Sequence, residues 1–235
     1  MNRQSRSPKT FALVLLAMLA AGTAAAGTHF GIISTVSTSP RTAARLNVTV
    51  HPGDASGAIF TVFPGGSAAS VQDTVPFSPE FFATSESSAV PGIQNLFTGA
   101  GGQTALVRAE VPGGQSAVIL EQYSPEERVV LGLPPLDTIA SPTFFVPIGN
   151  LHRGTSLLIG NPTGSRNAIV IRYGQGAEQP PIDIAEFSVV VIPITVAHTQ
   201  LLVRAADPSV PFIAQLAVDT GKTTVMTVLF PPSDF

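Results

Sequence analysis

The chain of 235 residues has no cysteine, no tryptophan and only two tyrosines, and charged side chains make up just 11% of it. Each shortage closes a class of function. Without cysteine there is neither a disulfide framework nor a thiolate metal site, so stability has to come from burying apolar surface. The 44% hydrophobic content fits that demand. Without tryptophan, and with only Tyr123 and Tyr173, there is little aromatic surface on which a sugar would stack. Lysine is confined to Lys9 and Lys222, and the net charge is −3. Nucleic acid and anionic membranes reward clustered Lys and Arg, so both are poor partners for this chain.

Long apolar runs are also scarce. The exception is Phe11 to Ala21, preceded by Arg3, Arg6 and Lys9 and followed by Ala24-Ala25-Ala26. This order of positive, apolar and small-x-small segments predicts a signal peptide over residues 1–26, cleaved between Ala26 and Gly27; the alternative is an uncleaved anchor. The run is short for a membrane span, and no second one approaches spanning length. The expected product is a periplasmic or extracellular chain with no membrane span. The leader takes three of the twelve basic residues with it, leaving nine against fifteen acidic ones, a net of −6.

What is present is a repeat. Leu106-Val107-Arg108-Ala109 with Pro112 recurs as Leu202-Val203-Arg204-Ala205 with Pro208, 96 residues on. Upstream, Ala58 to Phe63 resembles Ala168 to Tyr173 at an offset of 110. Self-similarity at a domain-sized period implies a duplicated unit. Within each unit, short runs rich in Val, Ile, Phe and Thr are separated by Gly, Pro, Asn and Asp, the texture of short antiparallel strands. The expected fold is all-β, two tandem antiparallel immunoglobulin-like sandwiches over residues 28–136 and 140–235. His51-Pro52-Gly53-Asp54 and Asn161-Pro162-Thr163-Gly164 supply equivalent reversals in the two units, because proline presets φ and Gly or Asn tolerates positive φ. Pro134-Pro135 marks the linker, since adjacent prolines do not fit a central strand.

The shift in offset gives the first unit 14 extra residues, which fall in Pro64–Gln103. That Gly/Ser/Pro-rich segment reads as a long loop over 64–103 carrying Phe77, Phe81, Phe82 and Phe97. Long loops in compact domains are functional or disordered, so Phe81, Phe82 and Phe97 are candidate contacts, set against simple packing onto the sheet.

The strand order around Asn161-Pro162-Thr163-Gly164, Arg172-Tyr173, Val203-Arg204-Ala205 and Ile213 to Thr220 resembles the small β-sandwich of sensory-rhodopsin-transducer-type proteins. The resemblance covers roughly residues 155–220, and more loosely 45–125. It implies an immunoglobulin-like module able to oligomerise; the export signal and the duplication depart from that family, so no partner or functional residue is carried over.

Chemistry-bearing motifs are weak. Asp219-Thr220-Gly221 follows an apolar strand as in aspartic proteases, but those need two carboxylates sharing a proton, and the equivalent point of the first unit is Tyr123-Ser124-Pro125. Gly221-Lys222-Thr223 has Leu216 where a phosphate loop needs glycine. His29, His51, His152 and His198 lack metal-ligand spacing. Asp183 and Glu186 read as solvated edge charges, and there is no Gly-x-Ser-x-Gly elbow. Arg108 and Arg204 carry more weight because they hold one place in both units. On an apolar strand each has to point outward or find a carboxylate, either as a sheet-covering ion pair or as a binding group. Duplication without a catalytic constellation points to a non-catalytic structural or protein-interaction module that binds a protein partner or itself, without a cofactor. A carbohydrate or small-ligand module and a hydrolase with convergent acids are the alternatives.

Overall fold

The computed structural model describes residues 27–34, 43–50, 57–64, 70–76, 83–85, 104–111, 116–123, 128–147, 154–195, 200–219 and 224–231. The signal-peptide segment with Ala26, the candidates Phe81, Phe82 and Phe97, and His51, His152 and His198 lie outside them. The first half contains β1 (Thr28–Ser34), β2 (Ala43–Val50), β3 (Gly57–Pro64), β4 (Val71–Pro76), β5 (Ala83–Ser85), β6 (Thr104–Glu110), β7 (Ser116–Tyr123) and β8 (Arg128–Leu133). After the one-turn helix α1 (Leu136–Ile139) come β9 (Thr143–Pro147), β10 (Thr155–Gly160), β11 (Asn167–Tyr173), β12 (Ile182–Ile184), β13 (Val189–Pro193), β14 (Gln200–Ala205), β15 (Ile213–Asp219) and β16 (Thr224–Val228).

These strands form four antiparallel sheets of four: sheet I is β1-β6-β3-β4, sheet II β5-β2-β7-β8, sheet III β13-β10-β15-β16 and sheet IV β12-β11-β14-β9. Adding eight to each strand number turns sheet I into sheet IV and sheet II into sheet III. The two halves therefore share one strand order. Alternation drives it locally: in β14, Leu201, Val203 and Ala205 are buried while Gln200, Leu202 and Arg204 turn outward.

Two expectations need correction. The segment 64–103 is not one loop, since it contains β4 and β5. Gln72 and Asp73 break the apolar signal of β4, which among the described residues pairs with β3 alone, and β5 is three residues long. The β3/β11 offset also differs. Thr61 lies opposite Arg108 and Val170 opposite Arg204, an offset of 109 rather than 110. A one-residue slip swaps the faces of a strand, and the buried Phe60 and Val62 match Ile169 and Ile171 only at 109. The segment after Pro134-Pro135 forms α1, where Ile139 is buried in a core and Leu136 and Ala140 pack against the same cluster.

Sheets III and IV face each other over Phe144, Leu157, Ile159, Ile171, Ile192 and Val203. Phe144 and Phe212 meet there at 5.1 Å between ring centroids. Asn161 clips the turn after β10. Its Nδ2 donates to the carbonyls of Ser165 and Ala185 at 2.7 and 2.9 Å, and its Oδ1 accepts the Thr163 N–H at 3.0 Å. In the first half, the inward face of sheet I buries Phe60, Val62 and Val107, and sheet II buries Val118, Leu131 and Leu133.

A further core joins the halves. Phe30, Ile32 and Leu106 on the outward face of sheet I pack with Leu158, Ile213 and Ala217 of sheet III and Ile139 of α1. Burying each large apolar side chain there contributes about 1.5–3 kcal/mol. Gly160 permits the close approach: a Cβ would sit 3.0 Å from both Ile213 Cγ1 and Leu106 Cδ1. Gln215 of β15, 1% exposed, reaches across to the outer edge of β1 at Ile32, next to Phe30, whose N–H donates to the Pro134 carbonyl at 3.2 Å. Its Oε1 accepts the Ile32 N–H at 2.6 Å and its Nε2 donates to the Ile32 carbonyl at 3.2 Å. One carboxamide thus satisfies two backbone groups that would otherwise be buried without partners.

Candidate interaction surfaces

Sheets I and IV each turn one face away from their own half. By register, Arg108 of β6 lies between Phe30 and Thr61, and Arg204 of β14 between Thr143 and Val170. The two arginines therefore occupy equivalent outward positions. Their surroundings differ.

Arg108 is caught at the seam. Its Nη2 donates to Thr61 Oγ1 at 3.4 Å, its Nε lies 3.6 Å from Glu110, and its guanidinium sits 5.6 Å from the centre of the Phe63 ring. Phe63 stacks on Phe187 of the second half at 4.7 Å. Phe187 has a φ of 47°, a left-handed conformation unusual for a bulky residue. Its N–H donates to Thr163 O at 3.2 Å, and with the ring stack this holds it there.

Arg204 faces outward and holds Glu178 with two parallel hydrogen bonds, Nε to Oε1 at 2.9 Å and Nη2 to Oε2 at 2.7 Å. The fork geometry is the favourable one for a guanidinium and a carboxylate. The hydrogen bond from Arg204 holds the Glu178 carboxyl below its ordinary pKa; desolvation opposes it, and the charges of Arg204 and Arg172 add to the lowering. Glu178 is brought over the sheet by the turn after β11, where Arg172 bridges to it. Beside this pair, Leu202 of β14 is half-buried and Phe145 of β9 is 56% exposed.

The other candidates fall apart spatially. Asp183 lies exposed on β12, while Glu186 pairs with Arg166 at 3.6 Å. His29 is buried, with its Nδ1–H donating to the Leu133 carbonyl at 2.8 Å. Burial pushes its pKa below the ordinary value, against the opposing influence of that bond and of Asp137. No group of three or more potential metal ligands occurs among the described residues. Among them, too, no helix is long and apolar enough to cross a membrane.

Neither a protein-family model nor a curated protein matches the sequence. The surface has to be understood from its own residues. Three that matter were not singled out from sequence: Phe145, Glu178 and Gln215. Phe145 was within reach, because alternation in Phe144-Phe145-Val146 forces one of two adjacent phenylalanines outward. Glu178 and Gln215 act over 26 and 183 positions, separations that no local pattern records.

Proposed function

We propose that this chain is an exported, non-catalytic structural or protein-interaction module built from two tandem immunoglobulin-like sandwiches, working through the outward face of sheet IV. The observation that carries the reading is the fate of equivalent surfaces: the outward face of sheet I is covered by sheet III, whereas that of sheet IV presents Phe145, Leu202 and the Arg204–Glu178 pair to solvent. Signal-like residues 1–26 support export to the periplasm or cell exterior. The β2·β5 and β3·β6 pairings support the immunoglobulin-like reading, since they correspond to the B·E and C·F pairs of that fold. In this chain the first and seventh strands have traded sheets, β1 lying beside β6 and β7 beside β2. The resemblance of residues 155–220 to transducer-type modules, read from the order of strands and turns in the sequence, accords with this reading.

The test places a photo-crosslinking side chain at Leu202 or, as a control, at the exposed Ser165. Protein adducts from position 202 and none from 165 are expected. Equal labelling from both positions, or none from 202 in the native compartment, overturns the reading.

A further inference from the structure

We propose that the free edge of β9 is a self-association site that takes the β9 of a second copy of this chain, antiparallel and in register on Phe145. The inference deepens the interaction-module reading and rests on it.

Hydrogen-bond phase decides which backbone groups are free. The Ala205 N–H donates to the Pro142 carbonyl at 2.7 Å, so Thr143 and Phe145 turn their own N–H and C=O away from β14. On the far side of β14, the Gly174 N–H donates to the Gln200 carbonyl at 3.0 Å, which commits the Leu202 backbone to β11. At Thr143 the outward groups are already used: Ser141 Oγ accepts the N–H at 3.1 Å and donates to the carbonyl at 2.8 Å. Pro147 has no N–H. Phe145 is left with one donor and one acceptor that no described residue meets.

The first half shows what this position requires. Ile32 of β1 stands where Phe145 stands, opposite Leu106 as Phe145 is opposite Leu202. There the Gln215 carboxamide supplies both partners. No equivalent amide reaches Phe145 among the described residues. A second β9 related by a two-fold axis supplies both, each Phe145 N–H donating to the other copy's Phe145 carbonyl. A register shifted by two residues would set Phe145 against Thr143, whose groups are occupied, or against Pro147, which lacks a donor. Only the self-pairing register satisfies both groups. It also brings the two exposed Phe145 rings together on one face, and β9, Thr-Phe-Phe-Val-Pro, carries no charge to repel its copy. Natural edges are usually blunted by charge or brevity, as β12 is by Asp183 and its three residues.

The test measures the mass of the purified protein across a concentration series. Twice the monomer mass is expected, with at least tenfold weaker association for Phe145→Lys and retained association for Phe145→Leu, circular dichroism being unchanged in both. The chain has no cysteine, so Phe145→Cys isolates the contact. In the proposed pairing the two Cα atoms lie about 5.5 Å apart, within disulfide reach. Oxidation should yield a covalent dimer, and Thr227→Cys, also exposed, should not. A wild-type monomer at every concentration overturns the proposal, as does a dimer that survives Phe145→Lys and fails to cross-link at 145. A monomer that still forms Leu202 adducts with another protein sinks this inference alone and leaves the interaction-module reading standing.

Discussion

Sheets I and IV have the same strand order, the same outward arginine and the same register around it, yet one face is closed and the other open. The difference lies in what the opposing sheet offers. Sheet III carries Gly160, Ala217 and Gln215, small where Leu106 and Ile32 approach and polar where the Ile32 backbone faces out from β1. Sheet IV meets no such surface among the described residues, and its outward side chains differ accordingly: Phe145 stands where Ile32 is buried, and Arg204 holds Glu178 in place of an aromatic ring. Strand pattern therefore sets where a face points, and a few residues on a different sheet decide whether it is covered.

The largest test of that contrast is a pair of matched truncations. Leu106→Ala should cost about 2–5 kcal/mol in urea unfolding, because the side chain is fully buried between the halves. Leu202→Ala, 96 positions on, should cost less than about 1 kcal/mol. Equal losses would mean that the two faces are alike in solution. Next comes Gln215→Leu, which leaves the Ile32 N–H and C=O buried without partners at about 1–3 kcal/mol for each group. Amide exchange at Ile32 should accelerate along with the loss of stability, and an unchanged exchange rate would remove the carboxamide from its role at the seam.

A third contrast is set by pH. His29 has a lowered pKa in the folded protein, so the unfolded chain binds protons more readily, and stability should decline as pH falls below about 6.5 toward the folded value. The His29→Asn variant should show a flatter pH profile in thermal melts. The smallest effect is expected at the exposed pair. Arg204→Ala should barely move the unfolding midpoint but should raise the Glu178 titration seen by carboxyl NMR toward its ordinary range. Arg108→Ala should leave that titration alone.

Much of this fold was legible in the sequence because alternation and turn chemistry are local. The β10 and β11 bounds and the Asn161 turn followed from β-branched runs broken by Asn, Pro and Gly. What was hidden had physical reasons. β4 and β5 are short or polar edge strands whose pairing comes from β3 and β2 rather than from their own pattern. The 110-residue offset arose from matching apolar character alone, which cannot tell the two faces of a strand apart. The arginines were visible as outward groups, but the residues that distinguish their sites came from distant turns and from another sheet.

The short helix between the halves bears on how the protein comes apart. A connector exposed to water would let two beads swivel and melt at separate temperatures. Here Ile139 is only 1% exposed, so pulling the beads apart means opening a third interior. Either bead expressed alone would carry a raw, oily wound, and the whole should unfold as one cooperative unit.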